Sequence, residues 1–131
     1  MSHDTLTLTA DTSDVWRHHI APEDGPAGFL IRTTLPENPD GVEVFLEQWA
    51  AGSEETPHFH PGDDMTVVIE GRMAVQFYRQ TPQGLVKDGE PVVLEKGQTG
   101  YIKGGRIHDA RYLEACKLVF VHSGPFDLTE A

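Results

Sequence analysis

From Val15 onward the chain is a succession of short apolar, β-branched runs cut by glycine and proline. Breaks fall at Gly52, Gly62, Gly71, Gly84, Gly89, Gly97 and the pair Gly104-Gly105. No stretch sustains a long helical period, and "PEDGPAGF" and "LPENPDGV" place prolines where a helix needs backbone donors. The remaining runs predict strands over Val15–Ile20, Phe29–Leu35, Val42–Ala50, Thr56–His60, Met65–Glu70, Met73–Arg79, Pro91–Glu95, Thr99–Ile102, Ile107–Leu113 and Lys117–His122. "MTVVIEGRMAVQFY" reads as a hairpin about Glu70-Gly71. Many short strands at this spacing make an all-β sandwich or barrel, and a barrel of this size can enclose one small ligand. Residues 1–14, polar and threonine-rich, read as an arm, and residues 15–131 as a single domain.

Composition narrows the function. Leu, Ile, Val and Phe make up about a quarter of the chain, above the share that leaves a sequence disordered. Acidic residues outnumber Lys and Arg 21 to 10, for a formal charge of −11. Nucleic-acid binding needs a basic footprint, so it is excluded, and anionic membrane surfaces are disfavoured for the same reason. The lone cysteine, Cys116, lies in "ACKLVFV", a run that reads as a buried strand, where a thiol is structural. The first residues show no basic start followed by an apolar run, and no run approaches the length of a membrane span. The expectation is a soluble, cytoplasmic protein that takes a small molecule.

"TPHFHPGDD", residues 56–64, carries the chemistry. Alternation on a strand points His58 and His60 the same way and Phe59 the other. Two imidazoles facing a barrel interior are costly unless something satisfies them, and a divalent metal does so. Pro61-Gly62 turns the chain, and Asp64 can bring a carboxylate back to the same point. Taken alone, the pair is equally compatible with satisfied core histidines.

The wider spacing is more specific. Gly52, His58, His60, Asp64 and Gly71 follow the order G-x5-H-x-H-x3-D-x6-G, and "GQTGYIKGGRIH" gives G-x5-K-x-G-x2-H from Gly97 to His108. This resembles the two motifs of the cupin family, G-x5-H-x-H-x3–4-E-x6-G and G-x5-P-x-G-x2-H-x3-N. Asp64 stands for the glutamate, Lys103 for the proline and Tyr112 for the asparagine. The tail "LVFVHSGPFDLTEA" is similar to the ending of small bacterial single-domain cupins. The resemblance implies an antiparallel jelly-roll β-barrel holding one divalent transition metal ion (Fe, Mn, Ni or Zn) on His58, His60, Asp64 and His108. Aspartate is one methylene shorter than glutamate, so Asp64 either reaches the metal directly or supports a ligand through a hydrogen bond. Family habit, together with edge strands that need cover, implies a homodimer.

Other residues frame the site. Alternation on the last strand groups His122 with Leu118 and Phe120. His122 then either approaches the cavity as a base or substrate ligand, or caps the strand end. Lys103, Arg106 and Arg111 concentrate positive charge around His108. They form either a mouth for a carboxylate or enolate or a set of solvated loop charges. Tyr101 is a candidate pocket wall beside them. The function implied is a small metalloenzyme acting on an organic acid, enol or diketone by dioxygenase, isomerase or decarboxylase chemistry. The alternative is a non-catalytic small-molecule binder or sensor, and a further one is a metal-free barrel.

Overall fold

A computed structural model describes residues 15–33, 42–123 and 128–131. The arm assigned to residues 1–14 and the Gly-Pro-Phe of the tail lie outside the described residues. These contain no helix. In chain order the strands are β1 (Phe29–Thr33), β2 (Val42–Trp49), β3 (Glu54–Phe59), β4 (Asp64–Glu70), β5 (Arg72–Thr81), β6 (Gly84–Lys87), β7 (Val92–Glu95), β8 (Thr99–Ile102), β9 (His108–Tyr112), β10 (Cys116–Ser123) and β11 (Thr129–Glu130). They form two sheets, β1-β2-β10-β4-β8 and β11-β3-β9-β5-β6, with β7 also paired to β5. Every pairing is antiparallel. The fold is an all-β sandwich, as the spacing of the strands predicts, and a jelly roll, as the family resemblance implies.

Alternation explains which faces are buried. In β10, Cys116, Leu118, Phe120 and His122 are buried while Lys117, Val119 and Val121 between them are half-exposed. Register carries that face sideways: Cys116 lies opposite Trp49, and Phe120 opposite Phe45 on one side and Thr66 on the other. Trp49, Val68, Met73, Val75, Tyr112, Cys116 and Leu118 pack into one core cluster. The opposite ends of β4, β9 and β10 carry Asp64, His108 and His122 instead. One end of the barrel is therefore plugged with apolar side chains and the other is lined with polar ones.

Three expectations need correction. Residues 15–20 form turns on the outside of the first sheet, with a single bridge from Ile20 to Ile31. They are tied there by bonds from Arg32 Nη1 to the Val15 carbonyl and from Gln48 Nε2 to the Trp16 carbonyl. The stretch about Gly71 is no hairpin: β4 belongs to one sheet and β5 to the other. Gly71, at φ +90°, is the corner where the chain changes sheets. Two short strands, β6 and β11, were not expected.

Candidate metal centre and its cavity

His58, next to the last residue of β3, lies directly opposite His108, the first residue of β9. His60 follows two residues after His58, on the same face. The ring centroids of His58 stand 4.9 Å from His60 and 4.5 Å from His108, and those of His60 and His108 stand 5.7 Å apart. One nitrogen from each ring lies within 4.8 Å of the other two, the arrangement of a three-histidine metal site. Two of the rings are oriented by backbone carbonyls. His58 Nδ1 is 2.6 Å from the Thr56 oxygen, and His108 Nδ1 is 2.8 Å from that of Arg106. A proton held on Nδ1 by a carbonyl leaves Nε2 with its lone pair for an ion. Burial holds the His108 imidazole down at about 4, against the pull of the Arg106 carbonyl, so its ring is neutral at neutral pH. The donor set fits a divalent first-row ion.

The two motifs meet because their turns clasp. Gly105 N–H donates to the His60 carbonyl at 2.7 Å, and Gly104 N–H donates to Asp63 Oδ1 at 2.8 Å. Gly104 packs so tightly that a Cβ would come 2.6 Å from the Pro61 oxygen. A glycine at this position has a steric reason, and the clasp carries His108 to His60.

The histidines open onto a cavity of about 720 Å³ whose walls include Phe29, Phe45, Val75, Phe77, Leu118 and Phe120. Asp64 reaches it as well. Its side chain is buried, and Oδ2 has no hydrogen-bond partner. Burial, then the charges of Glu55 and Asp63, raise its carboxyl to about 7. Asp64 is not part of the converging group formed by the three histidines. Two further carboxyls, Glu47 and Glu55, line the same cavity. Glu47 is raised to about 8, by burial first and by the charge of Glu55 next. Glu55 is raised too, chiefly by burial, although His58 and the Tyr112 hydroxyl oppose the shift.

The sequence reading missed both glutamates, for different reasons. Glu47 sits in "VEVFLEQW" in phase with Phe45 and Trp49, so a charged residue on the inward face of an apolar strand was the available signal. Glu55 had no such signal. Between Glu55 and His58 the register on β9 advances only from Ala110 to His108, so β3 carries one extra residue. That bulge reverses the alternation and turns Glu55 inward together with His58.

The other expected site residues are dispersed. His122 is buried in the wall, 5.2 Å from the Phe45 ring centroid and 5.9 Å from that of Phe120, and it does not line the cavity. Tyr101 lies at the rim, 53 % exposed. Its phenol bonds Asp63, which raises the phenol and, after the Gly104 N–H, lowers the carboxyl. Lys103 is exposed on the turn before His108. Arg106 is committed elsewhere: it donates to the Tyr78 carbonyl at 2.8 Å and to Asp88 at 2.9 Å, and its guanidinium lies 4.6 Å from the Phe77 centroid. Neither Lys103 nor Arg106 lines the cavity.

The two antiparallel sheets form the jelly-roll barrel fold also seen in cupin structures. No protein-family model matches the sequence, and no curated protein does. Solved structures do match. A conserved protein of unknown function from Streptococcus pyogenes is similar at 22 % identity and a TM-score of 0.64, covering 95 % of this chain and 96 % of its own. KdgF from Halomonas sp. is similar at 21 % identity and 0.59, over 74 % and 81 % of the two chains. Salicylate 1,2-dioxygenase from Pseudoaminobacter salicylatoxidans, in one structure in complex with gentisate, is similar at 17 % and 0.59, over 72 % of this chain and 25 % of that longer one. At these identities the likeness establishes the fold.

Proposed function

We propose that this chain is a small metalloenzyme that binds one divalent ion (Fe, Mn, Ni or Zn) on His58, His60 and His108 and transforms a small organic acid, enol or diketone. The observation that carries it is the convergence of three imidazoles on a largely apolar cavity, two of them fixed in tautomer by backbone carbonyls. When bound, the ion would act as a Lewis acid on substrate oxygens, which suits dioxygenase, isomerase or decarboxylase chemistry alike. The likeness to a salicylate 1,2-dioxygenase supports an enzyme over a passive binder.

The chain's own residues have defined tasks in this reading. The phenyl rings around the cavity exclude water and pack the substrate skeleton. Asp64, with one oxygen unbonded and its proton shared near neutral pH, is placed to hold or move a proton next to the histidines. His122 supports the wall behind His60 rather than touching substrate, and Tyr101, Lys103 and Arg106 belong to the rim. The chain would work as a homodimer in the cytoplasm, with residues 15–131 as its one domain.

Elemental analysis of protein purified without chelator should find one ion per chain. Turnover of a panel of acids, enols and diketones, with and without dioxygen, should then show consumption of at least one. Protein with no bound ion sinks the metal assignment. Full occupancy with no turnover across the panel leaves a binder or sensor.

A further inference from the structure

Glu47, Glu55 and Asp64 all face the cavity, yet among the described residues no lysine or arginine lines it. Glu47 and Glu55 are each held by one oxygen. Trp49 Nε1–H donates to Glu47 Oε1 at 3.0 Å, and the Tyr112 hydroxyl donates to Glu55 Oε2 at 3.0 Å. The two donor rings are stacked, 4.1 Å between centroids and 9° from parallel. One rigid aromatic pair thus sets both carboxyls in place. Tyr112 occupies the position where the family pattern has asparagine, so this arrangement rests on one of the chain's departures from that pattern.

A carboxylate entering this space would lose its water against apolar walls and meet three acidic groups with no side-chain cation to pair with. A neutral molecule with a hydroxyl or enol faces no such penalty. Its O–H can donate to the second oxygen of Glu47 or Glu55, and its skeleton packs on Phe45, Phe77 and Phe120. Resting on the metal-binding reading above, the geometry points to a cavity selective for a neutral, largely apolar ligand bearing a hydroxyl or enol beside a carbonyl oxygen. Glu47 and Glu55 are then the specificity-determining residues that accept from that O–H and reject carboxylates. The rise of Glu47 to about 8, set first by burial and then by the charge of Glu55, means that its own charge develops as pH rises through 8, so the rejection of carboxylates should strengthen there. This narrows the organic acids, enols and diketones of the proposed function to their uncharged members, and it sets the chain apart from the gentisate-binding neighbour.

The test uses two probes of nearly the same shape. Ortho-hydroxyacetophenone and salicylate share the ring, the ortho hydroxyl and the adjacent carbonyl, and differ by a methyl in place of a carboxylate oxygen. Each is titrated calorimetrically at pH 8 into metal-free and zinc-loaded protein. In the metal-free form the ketone should bind about ten-fold tighter or more; a zinc ion offsets part of the acidic charge and should narrow the ratio without reversing it. In Glu47→Gln and Glu55→Gln, which keep an oxygen for Trp49 and Tyr112, the ratio should shrink, chiefly because salicylate tightens. The double variant should bring it near one. Salicylate binding as tightly as the ketone to the wild-type chain overturns the proposal, as does a ratio unmoved by both single substitutions. The wild-type ratio decides even where the double variant fails to fold. Elemental analysis of the same samples keeps the two readings apart: a chain that holds no zinc but discriminates retires the metal reading alone.

Discussion

Residue by residue, the site depends on groups whose protons are displaced from ordinary positions. Replacing His60 or His108 by alanine removes one of three converging nitrogens. Stoichiometric metal should be lost while the circular dichroism of the barrel persists, and full occupancy in either variant would contradict the assignment. Asp64→Ala distinguishes two roles: a direct ligand costs severe loss of affinity, whereas a carboxyl supporting a ligand costs about 10–100-fold in chelator competition. Glu47 bears on stability. Its folded-state carboxyl, at about 8, stands above the ordinary glutamate value of 4.5. The stabilisation linked to its proton is therefore fully present below about pH 4.5 and is lost as pH rises through 8, a change on the order of 5 kcal/mol. The metal-free protein should melt at lower temperature at pH 8 than at pH 5, and Glu47→Gln, with no proton to lose, should flatten that dependence. A slope unchanged in the glutamine variant would remove Glu47 as its source.

At the scale of elements, the runs bounded by glycine mark where strands lie but not what they pair with. Thr99–Ile102 is a strand from end to end as expected, and the other runs from Phe29 onward differ by only a few residues at each end, residues 34 and 35 of the first lying outside the described residues. The partners were less legible. "VVIEGRM" has the look of a hairpin because alternation and a central glycine are local signals, whereas the separation of β4 from β5 is set by contacts distant in sequence. Gly71 shows the difference: a Cβ there would collide with the Ala115 carbonyl and stand 2.8 Å from Cys116 Sγ. Gly97 has a nearly identical φ of +89° but nothing within 4 Å. Gly97→Ala should cost about 1–2 kcal/mol, the penalty of left-handed backbone alone. Gly71→Ala should cost clearly more, because the corner must also open. Equal shifts in denaturant midpoint would mean the close approach carries no weight. The three histidines were legible because each lies in a short local pattern, His58 and His60 two apart at the end of one strand and His108 just after the Gly104-Gly105 turn. Glu55 was not, because a bulge reversed its face.

For the whole molecule, the outer face of the first sheet is the surface that needs explaining. Register aligns Val121 with Met65 and Met65 with Tyr101, in a row across β10, β4 and β8. Met65 and Val121 alternate with residues that face the cavity; Met65 is 47 % exposed, Tyr101 at the rim 53 %, and Val42 at the start of β2 60 %. With 21 acidic residues against 10 basic ones, a like-charged partner surface would repel unless the contact is apolar, and this row is apolar. It is the natural contact for the proposed homodimer, whose two-fold axis would bring the same row from each chain together. Sedimentation equilibrium at micromolar concentration should give twice the chain mass. Met65→Glu and Val121→Glu each set a charge on that row without touching the histidines, and either should shift the equilibrium to monomer while metal content stays at one ion per chain. A wild-type monomer would remove the dimer from the proposal. A dimer unmoved by both substitutions would place the contact on another face, where residues 15–20 fold over β1 and β2.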